Sequence, residues 1–236
     1  MRRLLASRTL IAIGIAPANQ ARAAACPAAD PVTVNVELRF PEPRIRDDVG
    51  FAGIARLGRD AYRPAGAESM HTVGLTRTRL DNGVSFLQSY VTANGRVCGR
   101  VQNVNATLTV SDLTVFIARE LRADDCARET VYRHEMEHVA IDRRTLHHLR
   151  PQVKAYLADA ADRLGPVQGR TVDAVQAQTR RYLQTAVDQI TDEIDRHRAD
   201  GHARLDTLEE YRRLSRACGG RIAKRLAQHT GSNAPR

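Results

Sequence analysis

The sequence of 236 residues has no tryptophan, only 4% aromatic residues, and no apolar run that approaches the length of a membrane-spanning helix. Such a helix needs ~20 consecutive apolar residues, so a polytopic membrane protein is excluded. Glycine and proline number only 15 and 9, which excludes collagen-like and mucin-like chains. Because 42% of the residues are hydrophobic, the chain is typical of a globular protein with one domain or at most two small ones.

Lysine is nearly absent, since only Lys154 and Lys224 occur among the 36 basic residues, and the formal net charge is +9. A strongly basic chain is one sign of a nucleic-acid-binding protein. An arginine bias is also what genome composition produces, however, and four of the arginines lie in the first 25 residues. We therefore expect no nucleic-acid partner, although the surface arginines allow loose contact with an anionic envelope surface.

The first 25 residues have the order of a secretory signal peptide. Arg2 and Arg3 give a basic start, the stretch 9–16 is apolar, and small residues precede Cys26. The sequence therefore predicts a cleaved signal peptide over 1–25, no integral membrane span after cleavage, and a periplasmic or secreted bacterial protein. An uncleaved anchor, a lipoprotein and a cytosolic protein are the alternatives.

The mature chain divides near residue 125 into a strand-rich part, 26–122, and a helical part, 123–228. Strands are predicted from alternating apolar and polar residues at 32–40, 71–80, 84–92, 97–110 and 113–118, with 43–70 irregular. Turns are expected at 81–83 and at Asn94-Gly95, because Asn-Gly favours the positive φ angles of a hairpin. We expect an α+β fold in which a meandering antiparallel sheet precedes a mostly helical C-terminal half.

The helical part shows apolar residues at three- and four-residue steps. The predicted helices run from about 124 to 149, from 151 to 164, from 172 to a bend or end at Gly201, and from a capping box at Thr207–Glu210 to 226. Residues 229–236 are expected to form a flexible tail, and 26–228 a single domain.

The four cysteines, Cys26, Cys98, Cys126 and Cys218, form no CxxC pair, so neither a zinc ribbon nor a redox pair is indicated. In an oxidising compartment an even number favours two disulfides, with buried free thiols as the alternative. The sequence does not choose among the three possible pairings. Cys126 and Cys218 lie where they could brace the helical half.

Residues 134–138 read His-Glu-Met-Glu-His, an HExxH motif inside a predicted helix. Two histidines four residues apart lie on one helix face, so both imidazoles can reach one zinc ion at ~2.0–2.1 Å. His134 and His138 share their stripe with apolar residues and therefore point into the interior. Glu135 is the expected general base that deprotonates a zinc-bound water. Two ordinary core histidines beside an exposed glutamate are the alternative.

The segment from Cys126 to Asp142, CARETVYRHEMEHVAID, resembles the active-site helix of the zincin superfamily. It is most similar to a bacterial family of predicted secreted zinc-dependent proteases whose substrate is unknown. The resemblance is sharp only at the HExxH motif and covers the rest of the mature chain loosely. It implies a zinc hydrolase fold.

A catalytic zinc site needs a third protein ligand, and the sequence leaves its identity open. Asp142 is eight residues from His134, about 12 Å along a helix, so one metal ion can hardly touch both. The ligand should come from the C-terminal helices, where the candidates are Glu193, His197, His202, Asp206 and Glu209. We favour His202, because it follows Gly201 at an expected bend, whereas capping already explains the acids around the start of the last helix.

These observations predict a periplasmic or secreted zinc metallopeptidase that cleaves peptide or protein substrates. Zn²⁺ would be its cofactor, His134, His138 and His202 its ligands, and Glu135 its catalytic residue. A zincin-fold envelope protein with a binding or structural role and no activity is the alternative, and a basic protein that binds polyanions is a third.

Overall fold

The computed structural model describes residues 26–28, 30–59 and 72–231. The predicted signal peptide, most of the second half of 43–70 and the end of the predicted tail lie outside these ranges. The described strands are β1 Thr33–Arg39, β2 Arg44–Arg46, β3 Gly74–Ala93, β4 Arg96–Ile117 and β5 Val167–Gly169. The described α-helices are α1 Phe51–Leu57, α2 Asp125–Leu164, α3 Val172–Leu205 and α4 Leu208–Gly231. No helix among them is both long and apolar enough to cross a membrane.

The centre of the sheet is β4, which pairs with every other described strand. β3 runs antiparallel along it, and Asn94 and Gly95 join the two strands with positive φ angles of 53° and 70°. This hairpin turn confirms the prediction from Asn-Gly. The other edge of β4 is covered successively by β5, which is antiparallel, and by β1 and β2, which are parallel to it.

The mixed α and β content agrees with the predicted class, but the prediction of an antiparallel, N-terminal sheet is wrong. Two strands pair in parallel, and β5 comes from between two long helices. Alternation of apolar residues indicates a strand but does not say which distant strand it joins or in which direction. The irregular segment predicted after β1 also contains β2 and α1.

The turn predicted at 81–83 is wrong, because these residues continue β3 opposite 107–109 of β4. The Asn82 amide instead donates to Asp188 and Thr191 on α3, at 3.2 and 3.0 Å. Contact between the sheet and α3 therefore replaces the local turn preference of Asn-Gly.

Both long helices extend further than the sequence predicts. α2 continues through Pro151, which is exposed, so the hydrogen bond lost at proline lies on the solvent side. α3 continues through Gly201, which is buried against α2: a Cβ atom there would lie 2.6 Å from Cγ2 of Ile141. This close approach brings the end of α3 beside the HExxH motif.

α4 is divided by a kink at residues 217–220, where Cys218, Gly219 and Gly220 have φ angles of 54°, 66° and 76°. We call residues 208–216 its inner half and residues 221–231 its outer half. The helix includes 229–231, which the sequence assigned to the flexible tail.

Two disulfides are present, as predicted, and they join Cys26 to Cys98 and Cys126 to Cys218. The second one fixes the kink of α4 to the first turn of α2.

The hydrophobic core lies between the sheet and the helices. α2 packs on β1 and β4, α3 packs on β3 and β4, and the two helices pack against each other. Fully buried side chains come from both predicted halves of the chain, among them Val104, Leu108, Val131, Leu157, Leu183 and Ile194. The buried face of α2 is the face that carries the HExxH motif.

Candidate metal centre

The HExxH motif lies in the middle of the first half of α2, with all three of its chemical groups buried. His134, Glu135 and His138 are 9%, 4% and 7% exposed. Asp124 caps the start of the helix, and its carboxylate accepts a hydrogen bond from the backbone N–H of Ala127 at 3.1 Å. The prediction that the motif faces the interior is therefore confirmed.

Asp206 is the third group of the centre. It lies in the two-residue link between α3 and α4, and its Oδ1 is 3.3 Å from Nε2 of His134 and 3.2 Å from Nε2 of His138. His134, His138 and Asp206 thus form a group that could hold a metal ion.

The two distances to Asp206 are compatible with a zinc ion. Four tetrahedral bonds of ~2.0–2.1 Å place the ligand atoms about 3.3 Å apart, which agrees with both distances to Asp206. Two imidazole nitrogens and one carboxylate oxygen are also a donor set typical of catalytic zinc sites. The residues present therefore fit the predicted cofactor, although the same donors suit other divalent metals.

His134 is held through its second nitrogen by a carboxylate. Its Nδ1 lies 3.1 Å from Oε1 of Glu210, which also accepts two hydrogen bonds of 2.6 Å from Arg213. The predicted capping box is therefore only half formed: Thr207 accepts from the backbone N–H of Glu210 at 3.2 Å, while the Glu210 carboxylate turns to the histidine. A carboxylate at Nδ1 fixes the ring so that Nε2 points at the metal position.

His138 is held by a longer chain of hydrogen bonds. Its Nδ1 lies 2.8 Å from Nδ1 of His202, and Nε2 of His202 lies 2.8 Å from Oδ1 of Asp142. When Nε2 of His138 carries no proton, its Nδ1–H donates to His202, whose Nε2–H then donates to Asp142. With His138 as a metal ligand, both imidazoles can therefore be neutral and each of their nitrogens still has a partner.

Asp142 anchors this chain of hydrogen bonds and is 0% exposed. Arg198 donates to both of its carboxylate oxygens, at 2.9 and 3.0 Å, and also contacts Thr78 and Asp195. Burial alone would raise the pKa of Asp142, but hydrogen bonds from His202 and Arg198 lower it to about 2. Asp142 is thus an ionised, paired carboxylate that does not reach the metal position itself.

The structure brings Asp206, another of the candidates from the sequence, to Nε2 of both histidines, whereas His202, the favoured candidate, meets Nδ1 of His138 instead. Both nitrogens of His202 are engaged, one by His138 and the other by Asp142. Of the remaining candidates, Glu193 and His197 contact each other on the outside of α3, and Glu209 is exposed. Thr207 is the sequence signal that points to Asp206. Because the threonine caps α4, capping does not explain the acid that precedes it.

Glu135 is positioned by β3. The Thr76 hydroxyl lies 2.9 Å from both the backbone oxygen and a carboxylate oxygen of Glu135. The strand passes so close that a Cβ atom on Gly74 would lie 2.5 Å from Oε1 of Glu135. Sequence reasoning missed both contacts, because β3 and α2 are far apart in the chain.

The electrostatics of the group favour a cation. Burial lowers the pKa of His134, but the carboxylates of Asp206, Glu135 and Glu210 raise it to a net value above the usual one. Burial raises the pKa of Asp206, but hydrogen bonds with His134 and His138 hold it well below its usual range. Burial also raises the pKa of Glu135, more than the two histidines lower it, which makes this carboxylate a stronger proton acceptor.

The group lies in the wall of a cavity of 720 Å³ bounded by β3, α2, α3 and α4. Glu135, His134, His138 and Asp206 all line it, so a molecule in the cavity contacts the candidate metal centre directly. A cavity of this size accommodates a peptide side chain and part of its backbone.

Comparison of the chain with protein-family models, with curated proteins and with solved structures finds no match. The assignment of chemistry to this centre therefore depends on its own residues.

Proposed function

We propose that this protein is a zinc-dependent peptidase of the periplasm or the extracellular space. His134, His138 and Asp206 would hold the metal, and Glu135 would act as general base. The observation that carries the proposal is a buried HExxH helix whose two histidines lie 3.3 and 3.2 Å from one carboxylate oxygen, in the wall of a cavity that Glu135 also lines. A zinc ion bound there would lower the pKa of a water molecule and polarise the carbonyl group of a peptide bond.

The chain's own residues would then do the remaining work. Glu135 accepts a proton from the attacking water and transfers it to the nitrogen of the leaving amine, so both bond changes use one carboxylate. Thr76 orients that carboxylate. Glu210 and His202 fix the rings of His134 and His138, which keeps the metal position constant while the substrate binds.

Two disulfides support the proposed location, because such bonds persist in oxidising compartments and are rare in the cytosol. They agree with the signal peptide expected from the sequence.

The first experiment measures metal content. Purified protein should contain or take up about one zinc ion per chain, and Asp206→Ala should lose it. Asp200→Ala is the matched control, because this acid also lines the cavity but does not belong to the group. Protein without stoichiometric zinc, or equal zinc in both variants, would contradict the proposed centre.

The second experiment measures hydrolysis of an unfolded protein such as reduced casein. Glu135→Gln should keep the zinc and lower the rate by about 10²–10⁴-fold, the usual contribution of a general base. Zinc binding without any Glu135-dependent hydrolysis would instead support a non-catalytic binding role.

A further inference from the structure

The cavity beside the candidate metal centre has two chemically different ends along α2. Val131 lies three residues before His134, about 4.5 Å toward the start of the helix, whereas His138 lies about 6 Å in the other direction. The end near His138 is polar, with His202, Thr78 and Thr76 in its wall. The end near Val131 is apolar, and α4 supplies most of its wall.

The apolar residues of this wall include Val131 and, from α4, Leu214, Ile222 and Ala223, and the same helix also supplies Tyr211 and Ser215 to the lining. Leu214 and Ile222 are buried, while Ala223 is exposed and lies at the rim. Closely packed aliphatic side chains on both sides of a cavity bind another apolar group by removing its surface from water, at about 25 cal/mol per Å².

The outer half of α4 is firmly attached at this end of the cavity. The disulfide Cys126–Cys218 joins its base to the first turn of α2. Arg221 and Arg225 also lie 3.3 and 3.7 Å from the carboxylate of Asp124, the residue that caps α2. The apolar wall is therefore a fixed part of the site.

The charged side chains of the cavity disfavour an acidic group at its apolar end. The described lining contains three acids, Glu135, Asp200 and Asp206, and no lysine or arginine. An anionic side chain packed against Val131, Leu214 and Ile222 would lose hydration without a basic side chain of this lining to pair with.

We infer that the substrate is a polypeptide cleaved next to a bulky uncharged side chain such as leucine, phenylalanine or methionine. That side chain packs between Val131 of α2 and the pair Leu214 and Ile222 of α4, while the peptide bond lies over the group of His134, His138 and Asp206. The inference rests on the proposed peptidase function and adds its specificity.

The cleavage test compares two variants that carry the same change. Ala223→Arg places a cation at the rim of the apolar end, and Ala177→Arg places one on an exposed part of α3 away from the cavity. Reduced casein is digested by each protein, and the residues that flank the cut sites are identified by mass spectrometry. Blocked peptides built on the best site, with phenylalanine, alanine or aspartate at the selected position, then give kcat/KM.

For the wild-type protein we expect kcat/KM for the phenylalanine peptide to exceed kcat/KM for the aspartate peptide by at least about 10-fold. This is the lower end of the discrimination that an apolar pocket provides. Ala223→Arg should reduce this ratio by about 5-fold or more, with an unchanged melting temperature, and Ala177→Arg should leave it unchanged. Cut sites without enrichment of apolar residues, or the same ratio in both variants, would overturn the inference.

A binding test separates this inference from the peptidase proposal. Titration calorimetry on Glu135→Gln uses two blocked pentapeptides, Ala-Ala-Phe-Ala-Ala and Ala-Ala-Asp-Ala-Ala. Preference for the phenylalanine peptide, weakened by the additional Ala223→Arg change but not by Ala177→Arg, supports the apolar subsite even if the wild-type protein hydrolyses nothing. Equal binding of the two peptides overturns the subsite even if the wild-type protein is an active peptidase.

Discussion

The two ends of the cavity are built by different physical means. At the polar end, His138, His202, Asp142 and Arg198 are joined by hydrogen bonds of 2.8–3.0 Å between mostly buried groups. At the apolar end, the outer half of α4 is held by a disulfide, two partly exposed ion pairs and van der Waals packing.

This difference separates two tasks. Directional hydrogen bonds fix the metal position and fail when a single atom changes, because a buried charge is left without its partner. Packing and a covalent link fix the shape of the apolar wall and tolerate substitutions of similar volume. Substitutions at the polar end should therefore weaken metal binding, whereas substitutions at the apolar end should change only substrate preference.

The largest effect is expected from Arg198→Met. This change leaves the fully buried Asp142 carboxylate without its bidentate partner and should lower the free energy of unfolding by about 3–5 kcal/mol. Urea denaturation measures the loss, and chelator competition should show weaker zinc binding. The control is Arg196→Met on the exposed side of α3, where the pair with Glu193 contributes below about 1 kcal/mol. Equal losses in both variants would contradict the polar end as described.

Removal of the Cys126–Cys218 disulfide should come next. The double change to serine should cost about 2–5 kcal/mol, because the closed loop spans 92 residues of sequence. Zinc affinity should stay within about 2-fold, and kcat/KM for apolar substrates should fall as the wall loosens.

Serine at Cys26 and Cys98 is a matched control, since that disulfide closes a similar loop of 72 residues and neither cysteine lines the cavity. It should cost comparable stability without changing substrate preference. If zinc affinity fell with the Cys126–Cys218 pair alone, the separation of the two ends would be wrong.

Acid should weaken the polar end selectively. The pKa of Asp142 is about 2 in the folded protein and ~3.9 unfolded, so this carboxylate stabilises the fold above pH ~4. That contribution, about 2.6 kcal/mol, is lost as the pH falls from ~4 through 2. Chemical denaturation in EDTA should show a smaller decline over this range in Asp142→Asn than in the wild type. Parallel curves would indicate that Asp142 does not keep its charge inside the fold.

Glu210→Gln should have the smallest effect. The amide weakens the contact with Nδ1 of His134 while His138 keeps its own hydrogen bonds, so zinc affinity should fall about 10-fold. Competition with a fluorescent chelator measures this, and Glu209→Gln, at the exposed neighbouring position, should show no change. A loss of affinity in Glu209→Gln of equal size would remove the assigned role of Glu210.

The part of the site that the sequence predicts is the part encoded locally. His134, Glu135 and His138 lie within five residues, and helical periodicity is enough to place them on a buried face. Asp206 is 68 residues after His138, and acids near helix junctions are common for reasons unrelated to metals. Only the close packing of α3 against α2 at Gly201 shows that Asp206 lies beside the HExxH motif.

The fold likewise has locally encoded features that the sequence predicts and long-range features that it does not. The Asn94-Gly95 hairpin depends on two adjacent residues and is predicted correctly, whereas the parallel pairing of β1 with β4 joins segments about 70 residues apart. Pro151 predicts a helix boundary locally, yet packing along the rest of α2 outweighs one missing hydrogen bond.

The kink at residues 217–220 also lets the two halves of α4 contact different parts of the site. The inner half of α4 follows Asp206 after one intervening residue and carries Glu210, so the direction of that half places the carboxylate that holds Nδ1 of His134. The backbone angles of the kink are not helical, so the outer half leaves the kink in a different direction. The disulfide at Cys218 and the ion pairs of Arg221 and Arg225 with Asp124 hold that direction. A single helix can therefore hold His134 with its inner half and form part of the apolar wall with its outer half.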